Sequence, residues 1–181
     1  MAALEPPKSY EPKPRSSHYA AAVEGQCFIF AGRTEDIETI KEELSSTIEV
    51  FDQYLEQWRA LKTTGSPPKG LINGGCCVSP SGDLYTYGGS QDKSVRRGGL
   101  YKLKLSLEWS QLSAESDLNG PMRKTGFGMV WFCKKKIAII GGLGLPLGPL
   151  QPGSSFVKIR NATDGRGHTN EIHIFDIEEC K

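Results

Sequence analysis

The side chains most able to do chemistry in this sequence are three histidines and five cysteines. They are His18, His168 and His173, and Cys27, Cys76, Cys77, Cys133 and Cys180. The cysteines form no CxxC pair and no Cys-x-His cluster, so the spacing predicts no metal site and favours small buried side chains in strands. A Ser-His-Asp or Cys-His set assembles only in three dimensions and has no spacing support here. We therefore expect no catalytic residues and no cofactor.

A glycine-rich segment could be mistaken for a nucleotide-binding loop. Gly142-Leu143-Gly144 follows an apolar strand, but a dinucleotide loop needs a helix that begins on its glycines. Pro146 and Pro149 are incompatible with that helix. The basic clusters Arg96-Arg97 and 134–136 are interpreted as a solvated loop tip and a strand turn. The sequence thus predicts no nucleotide binding.

The amino-acid composition further limits the classes of molecule that we expect this protein to bind. The chain has 181 residues, with 22 Lys+Arg against 21 Asp+Glu and a formal net charge of +1, so no long-range field draws in nucleic acid. The longest uncharged apolar stretch, 137–150, is shorter than the about 20 residues of a spanning helix. Residues 1–13 are polar and Pro-rich, without the apolar core of an export signal. We expect this N-terminus to be disordered, and the protein to be in the cytoplasm or the nucleus without a membrane partner.

The secondary-structure elements that would hold a functional site recur at a regular interval along the chain. Three segments share one order: a small-residue strand, an apolar strand that ends in glycine, a polar loop, and an aromatic strand. The landmarks that recur are Gly32, Gly89 and Gly142, then Trp58 and Trp109, then Pro68 and Pro121. Their period of about 50 residues is the length of a four-stranded propeller blade. The sequence therefore predicts an all-β propeller.

The residue types agree with this architecture. The runs 27–31, 84–87 and 137–140 are nearly continuous apolar stretches, as expected of inner strands that neighbouring blades cover on both faces. A glycine pair after such a strand allows positive φ and a close backbone approach. The tryptophan of each outer strand is large enough to fill the gap between one blade and the next.

These motifs resemble the kelch-repeat family over roughly 14–176. The resemblance is carried by Arg15-x-x-His18, Gly88-Gly89, Gly141-Gly142, and Phe51-Asp52 followed by Trp58, with Gly32-Arg33 in place of the first glycine pair. More narrowly, the stretch 165–176 is similar to kelch-domain proteins that serve cullin ubiquitin ligases as substrate receptors. The fold that this resemblance implies is a kelch-type β-propeller.

Three blades account for nearly the whole chain. We place blade 1 at 14–70 with a helical loop insertion at 35–46, blade 2 at 71–123, and an incomplete blade 3 at 124–181 with a long loop at 143–169. An open stack of blades leaves an apolar face bare. The chain is therefore expected to be part of a larger propeller, whose further blades follow in the same polypeptide or are supplied in trans.

The resemblance implies a function in protein binding rather than catalysis. Kelch proteins bind peptides at loops, with arginines and serines engaging acidic side chains or a C-terminal carboxylate. The corresponding residues here are Arg15, Ser16, Ser17, Arg33, Lys69, Ser90, Gln91, Arg123 and Lys124. The residues expected to be structural are His18, Gly32, Trp58, Gly88, Gly89, Trp109, Gly141 and Gly142. Substrate recruitment to a ubiquitin ligase is the specific function implied, and a truncated fragment without independent function or a propeller enzyme remain alternatives.

Overall fold

The polypeptide forms short strands along its described length, and all pairs but one are antiparallel. The computed structural model describes residues 10–34, 47–69, 72–91, 97–114, 120–146, 149–150 and 152–178, and these ranges contain sixteen strands and no helix. The predicted all-β class is confirmed. No helix among these residues has the length and apolar character needed to cross a membrane.

The first blade is a four-stranded sheet in chain order. Its strands are β1 (Tyr19–Val23), β2 (Gln26–Phe30), β3 (Thr47–Asp52) and β4 (Gln57–Lys62), all antiparallel. Glu24 and Gly25 join β1 to β2 with φ values of 46° and 79°. Two positive φ angles in a two-residue turn match the twist of a tight hairpin.

The second blade repeats this plan and gains one strand from the linker. Its strands are β5 (Thr64–Gly65), β6 (Gly75–Val78), β7 (Leu84–Tyr87), β8 (Leu100–Leu103) and β9 (Glu108–Gln111). The short β5 pairs parallel with the outer strand β9. The segment between β4 and β6, which contains β5, is therefore hydrogen-bonded to the second blade.

The third blade has three strands among the described residues. They are β11 (Gly128–Phe132), β12 (Lys136–Ile140) and β16 (Ile172–Asp176), paired antiparallel in the order β11-β12-β16. No strand of the described ranges pairs with the outer edge of β16, where the first two blades carry Trp58 and Trp109. The third blade is therefore incomplete in this part of the chain.

The segment expected to be a long loop, 143–169, contains strands, which corrects that expectation. The strands β13 (Leu143–Leu145), β14 (Phe156–Lys158) and β15 (Gly167–Thr169) form a small sheet with β10 (Arg123–Thr125), in the order β10-β13-β15-β14. A Cβ at Gly144 or Gly167 would collide with a neighbouring backbone carbonyl. Glycine at these two positions thus lets the strands approach, a role that composition alone does not distinguish from a loop. We call this the insertion sheet.

The hydrophobic core lies between the blades. One cluster joins Tyr19, Phe28, Phe30, Ile48 and Val50 of the first blade to Leu84, Tyr101, Leu103 and Trp109 of the second. The other joins Cys77, Tyr85, Tyr87 and Leu100 of the second blade to Met129, Ile137, Ile139 and Phe175 of the third. Burial of apolar surface therefore holds one blade to the next, as a repeat architecture requires.

The turn after the second strand of each blade has the same backbone form. Its two left-handed residues are Ala31-Gly32, Gly88-Gly89 and Gly141-Gly142, with φ between 56° and 107°. The first pair is thus Ala31-Gly32, which corrects the assignment to Gly32-Arg33. Ala31 carries the smallest side chain that an L-residue can have, and it is buried, so the first blade keeps this turn without a second glycine.

The described residues cover only part of two predictions made for the N-terminal region, the helix in 35–46 and the disorder of 1–13. The helix predicted within 35–46 lies outside the described residues, as do residues 1–9 of the segment expected to be disordered. Tyr10, however, forms an isolated antiparallel bridge with Trp58 on the first blade. Order therefore begins before Pro14, a correction to the boundary set at residue 13.

Candidate functional site

A row of backbone hydrogen bonds connects the three blades where their first strands begin. The Asn73 amide donates to the Ser17 carbonyl at 3.1 Å, and the Gly126 amide donates to the Asn73 carbonyl at 2.9 Å. The three residues occupy equivalent repeat positions and are all left-handed, with φ of 58°, 57° and 61°. We call this end of the blades the loop end, because the turns after the second strands return to it.

The returning turns are anchored to the same end. Ser16 and Arg33 exchange both backbone hydrogen bonds, at 2.9 and 2.8 Å, and Ile72 and Ser90 do the same at 2.9 Å. The structure therefore brings the predicted residues Ser16, Ser17 and Arg33 together. Ser90 is only 7% exposed, which corrects its assignment to a partner-facing loop.

Arg15 is used inside the protein, which corrects its assignment to an open binding position. Its side chain is 8% exposed, with Nη2 at 2.6 Å from Glu49 Oε2, and its Nη1 donates to the Ala31 carbonyl at 3.1 Å. Tyr10 donates its hydroxyl to Glu49 Oε1 at 2.7 Å. Burial, together with Glu49, raises the pKa of Tyr10 to about 12. The Arg15 charge thus neutralises a buried carboxylate and holds the N-terminal segment on the first blade.

Lys124 is likewise internal, and its assignment is corrected for the same reason. Its side chain is completely buried, and its Nζ lies 3.3 Å from Glu171 Oε2. Burial lowers the pKa of Lys124, and the Glu171 carboxylate acts in the opposite direction. Lys124 pairs with Gly144 in the insertion sheet, and this sheet covers the Lys124 side chain. The sequence alone shows Lys124 only as a cation in a turn.

The remaining predicted residues are more accessible. Lys69 is exposed, whereas Arg33, Gln91 and Arg123 are half-buried. Arg123 begins β10 of the insertion sheet. These side chains stay candidates for contact with a partner.

Arg97 is a candidate that sequence reasoning placed on a solvated loop tip. Its Nη2 donates to Gln91 Oε1 at 2.8 Å, and its backbone amide donates to the Gly89 carbonyl at 2.8 Å. The guanidinium is therefore held beside the glycine turn of the second blade. Arg33 follows Gly32 and Arg97 precedes Gly98-Gly99, so an arginine beside glycine is a sequence signal that could have identified Arg97.

Three of the residues predicted to be structural, Gly32, Trp58 and Trp109, pack against neighbouring side chains. A Cβ at Gly32 would approach the His18 Cβ at 2.8 Å, so these two residues are in close contact. Trp109 is buried between the first two blades, whereas Trp58 is half-buried and packs on Phe51 of its own blade at a centroid distance of 5.2 Å. Contact with a preceding blade therefore distinguishes the burial of Trp109 from that of Trp58.

Of the cysteines expected to be buried, Cys76 and Cys77 are packed in the second blade, whereas Cys27 and Cys133 are exposed, which corrects the expectation for these two, and Cys180 lies outside the described residues. Burial raises the pKa of Cys76 to about 11 and that of Cys77 to about 12, so both thiols stay protonated near neutral pH. Throughout the described ranges, no three His, Cys, Asp or Glu side chains are grouped to hold a metal ion.

A cleft of about 960 Å³ lies between the second and third blades at the end opposite the loop end. Lys102 pairs with Asp83 there at 2.7 Å, and Lys135 pairs with Glu178. The cleft thus presents charges that are largely neutralised.

A family model assigns the repeat directly. Residues 3–142 match a model described as the KLHDC2/KLHL20/DRC7 Kelch-repeats domain. This match covers most of the chain, including both complete blades.

Two individual proteins are similar to this chain at lower identity. An N-(sulfonatooxy)prop-2-enimidothioate sulfolyase of Thlaspi arvense is 27% identical over 133 residues, which are 73% of this chain and 36% of that protein. The solved structure of YjhT superposes with a TM-score of 0.54 at 17% identity, over 76% of this chain and 36% of that one. The chain thus spans about a third of the length of each. At this identity the likeness to YjhT shows the fold alone.

Proposed function

Because this chain belongs to the kelch-repeat family, we propose that it is a non-catalytic module that binds a protein or peptide partner through the loop end of its blades. The observation that carries the proposal is the placement of three arginines at this end: Arg33 and Arg97 follow the second strands of the first and second blades, and Arg123 lies between the second and third blades. Each lies beside a glycine turn or at the start of the insertion sheet. Cationic side chains on loops of a rigid strand framework are suited to recognition.

The backbone at this end is organised before any partner binds. Arg33 is fixed by its bonds to Ser16, and Arg97 by its bond to Gly89. The Arg97 guanidinium is further held by Gln91. A pre-organised site loses less conformational entropy on binding, which favours affinity from few contacts.

The chemistry of these residues favours a carboxylate ligand. A guanidinium can hold a carboxylate with two parallel hydrogen bonds, a geometry that lysine does not offer. The proposed ligand is therefore a peptide with an acidic side chain or a free C-terminal carboxylate, and Arg33, Arg97 and Arg123 are its proposed contacts.

Substrate recruitment to a cullin ubiquitin ligase, in the cytoplasm or the nucleus, is the specific form of this function that we propose. It is supported by the resemblance of 165–176 to such receptors and is an inference by family analogy. The expected result is direct binding of the purified chain to a cullin–adaptor complex. Ligand-binding activity without adaptor binding would contradict the ligase role and leave the peptide-binding role intact.

A peptide titration tests the binding function. Fluorescently labelled peptides that differ only in a free or an amidated C-terminus, with or without acidic residues, are titrated with the wild-type chain. We expect the free-carboxylate or acidic forms to bind, and Arg33→Ala, Arg97→Ala or Arg123→Ala each to weaken binding about 10-fold or more, since a charge-assisted hydrogen bond contributes roughly 1.5–3 kcal/mol. Arg59→Ala is the matched control, because Arg59 is exposed on the outer strand β4. Equal affinity for all peptides, or equal effects of all four variants, would contradict the proposal.

The enzyme and fragment alternatives have their own tests. The sulfolyase relative motivates an assay for turnover of an N-(sulfonatooxy)imidothioate, and turnover above a heat-denatured control would overturn the non-catalytic proposal. A fragment without independent function is expected to melt without cooperativity. A sharp thermal transition of the purified chain would exclude that alternative.

A further inference from the structure

We propose that the open edge of β14 is a second peptide-binding site, at which an extended acidic segment of a partner protein adds to the insertion sheet as a further strand. This inference does not depend on the contacts proposed for Arg33, Arg97 and Arg123. It rests on the position of β14, on the direction of its backbone groups and on the charge around it.

The insertion sheet continues the third blade past its glycine turn. Its strands β10, β13 and β15 adjoin β11, β12 and β16 along the chain and pair in the same order. The Gly141 amide donates to the Glu171 carbonyl at 2.8 Å, and the Thr169 amide donates to the Gly142 carbonyl at 3.1 Å, so the two sheets are continuous. β14 lies beyond β15, on the side where the first two blades carry their outer strands β4 and β9. Its open edge therefore points to the outside of the propeller.

Further blades would leave this edge accessible. The blades of this chain contact one another through their sheet faces, where both hydrophobic clusters lie. A blade added to the third one would pack on its face in the same way. A fourth strand of the third blade would pair with β16, on the other side of the glycine turn from β14.

Outer edges in this chain do accept extended segments. The short strand β5 pairs parallel with the outer strand β9, and Tyr10 forms an antiparallel bridge with Trp58 on the outer strand β4. Within the described ranges, β14 has β15 on one side and no strand on the other. The same kind of edge is thus unoccupied in the insertion sheet.

The hydrogen bonds of β14 show which backbone groups point to the open edge. The Ser155 carbonyl and the Ile159 amide, two residues before and two residues after Val157, bond to the residues that flank β15 at 3.3 and 3.0 Å. Ladder hydrogen bonds of an antiparallel strand come from alternate residues. Phe156 and Lys158 therefore direct their N–H and C=O groups away from β15.

These outward groups form a template for another strand. Among the described residues, nothing bonds to the backbone of Phe156 or Lys158 on the open side. A row of unpaired N–H and C=O groups pairs readily with an extended chain, and such main-chain bonds supply the affinity when a peptide adds to a sheet edge. Val157, which is 65% exposed, offers an apolar contact to the added strand.

The charge around β14 favours an acidic partner. The segment 156–169 contains Lys158, Arg160 and Arg166 but only one carboxylate, that of Asp164. Arg166 lies 3.7 Å from Asp164, whereas Lys158 and Arg160 are exposed and have no ion-pair partner in the described part of the chain. Opposite charges on paired strands are stabilising and like charges are destabilising. An acidic strand therefore fits this edge, and the β14 edge of a second copy, which is equally basic, does not.

Peptides with a methylated backbone test the edge in the wild-type chain. The probe is a fluorescently labelled seven-residue peptide of alternating Glu and Val with blocked ends, and a Lys-Val peptide of the same length is the charge control. One series carries N-methyl groups on its glutamates and another on its valines. Only alternate residues of an added strand turn their N–H groups to β14. We therefore expect one series to bind about 10-fold or more weakly, the other to bind like the parent peptide, and the Lys-Val peptide not to bind.

Two substitutions at one position separate the backbone from the charge. Lys158→Ala removes the cation and should weaken binding of the Glu-Val peptide about 2- to 5-fold. Lys158→Pro also removes an outward N–H, which should weaken binding about 2- to 10-fold further. Proline is compatible with an edge strand where the N–H faces solvent, and a thermal melt verifies that the variant is folded. Lys62→Ala is the matched control, because Lys62 is exposed on the outer strand β4, and it should bind like the wild-type chain.

Several outcomes would overturn the inference. They are no binding of the Glu-Val peptide to the wild-type chain, equal affinity for the two N-methylated series, equal affinity of the two Lys158 variants, and equal binding of the Lys-Val peptide. The loop-end proposal fails separately. Both Lys158 variants are expected to keep wild-type affinity for a peptide with a free C-terminus and no acidic residue, because that contact is assigned to Arg33, Arg97 and Arg123.

Discussion

Trp109 of the second blade packs edge-on against Phe30 of the first, with ring centroids 5.7 Å apart and planes inclined at 63°. The Trp109 side chain is 2% exposed. The outer strand of one blade therefore contributes to the core that joins it to the preceding blade. Stability of the stack depends on such contacts between repeats.

Trp109→Ala is expected to lower the free energy of unfolding by about 3–5 kcal/mol, because it removes a buried aromatic side chain and leaves a cavity. Trp58→Ala is the matched control, since Trp58 occupies the same repeat position but is half-buried and contacts Phe51 of its own blade. Urea unfolding of both variants measures the difference. Equal losses would show that burial between blades does not distinguish the two tryptophans.

Gly88→Ala is expected to destabilise the protein more than Gly126→Ala. Both glycines are left-handed, at φ +66° and +61°, so both variants lose roughly 1–2 kcal/mol to the backbone conformation. Only at Gly88 would the new Cβ meet backbone, at 2.6 Å from the Lys124 carbonyl oxygen, whereas nothing lies within 4 Å at Gly126. Overpacking adds about 1–3 kcal/mol. Thermal melts that rank the variants in the reverse order would contradict this account of the turn.

Substitutions of Lys124 and Glu171, which form a buried ion pair, are expected to have strongly non-additive effects on the free energy of unfolding. Lys124→Met leaves the Glu171 carboxylate without its buried cation and should cost about 3–5 kcal/mol, and Glu171→Gln should also be costly, because it leaves Lys124 without a counter-charge. The double variant is expected to be more stable than the sum of the single losses predicts, since no unpaired charge remains. A double-mutant cycle from urea unfolding measures this coupling. Additive losses would show that the two charges do not act as a pair.

Because of Cys76, the free energy of unfolding is expected to fall as the pH rises above 9. Burial raises its pKa from 9.0 to about 11. Above pH 9 the unfolded chain loses this thiol proton before the folded chain does. The contribution of the Cys76 thiol to the free energy of unfolding is therefore complete below pH 9. It is lost as the pH rises towards 11, by at most about 1.4 kcal/mol per pH unit.

The measurement compares wild-type protein with Cys76→Ala by urea unfolding at several pH values between 8 and 11, under reducing conditions, with roughly 0.6 kcal/mol as the smallest difference worth interpreting. The stability advantage of the wild-type chain should shrink over this range. An advantage that is independent of pH would show that the thiol titrates alike in the folded and unfolded chains.

Repeats made much of the fold predictable. Gly89 and Gly142 follow apolar strands at one period, and Trp58 and Trp109 follow at the same period, so periodicity alone indicated blades and their inner strands. Each of these signals is local, because a turn needs its own glycine and a strand needs its own apolar residues. The insertion sheet was missed, since its short strands are separated by segments rich in Gly and Pro that resemble a loop.

The binding residues were less predictable. Arg15, Arg33 and Lys124 look alike in sequence, as cations near glycines or turns, yet Arg15 and Lys124 pair with Glu49 and Glu171. Those glutamates lie more than thirty residues away along the chain, and no local pattern marks them as partners. The basic pair Arg96-Arg97 predicts a solvated loop tip, whereas in the structure the Arg97 guanidinium donates a hydrogen bond to Gln91.

The amino-acid order by itself thus determined the architecture: strand periodicity, the positions of the left-handed turns and the identity of the aromatic side chains available for the blade interfaces. Only the tertiary structure decided which cations are neutralised and which strand edge is left unpaired. The physical reason is that propensity and hydrophobic periodicity act over a few residues, whereas burial and ion pairing depend on contacts between distant strands.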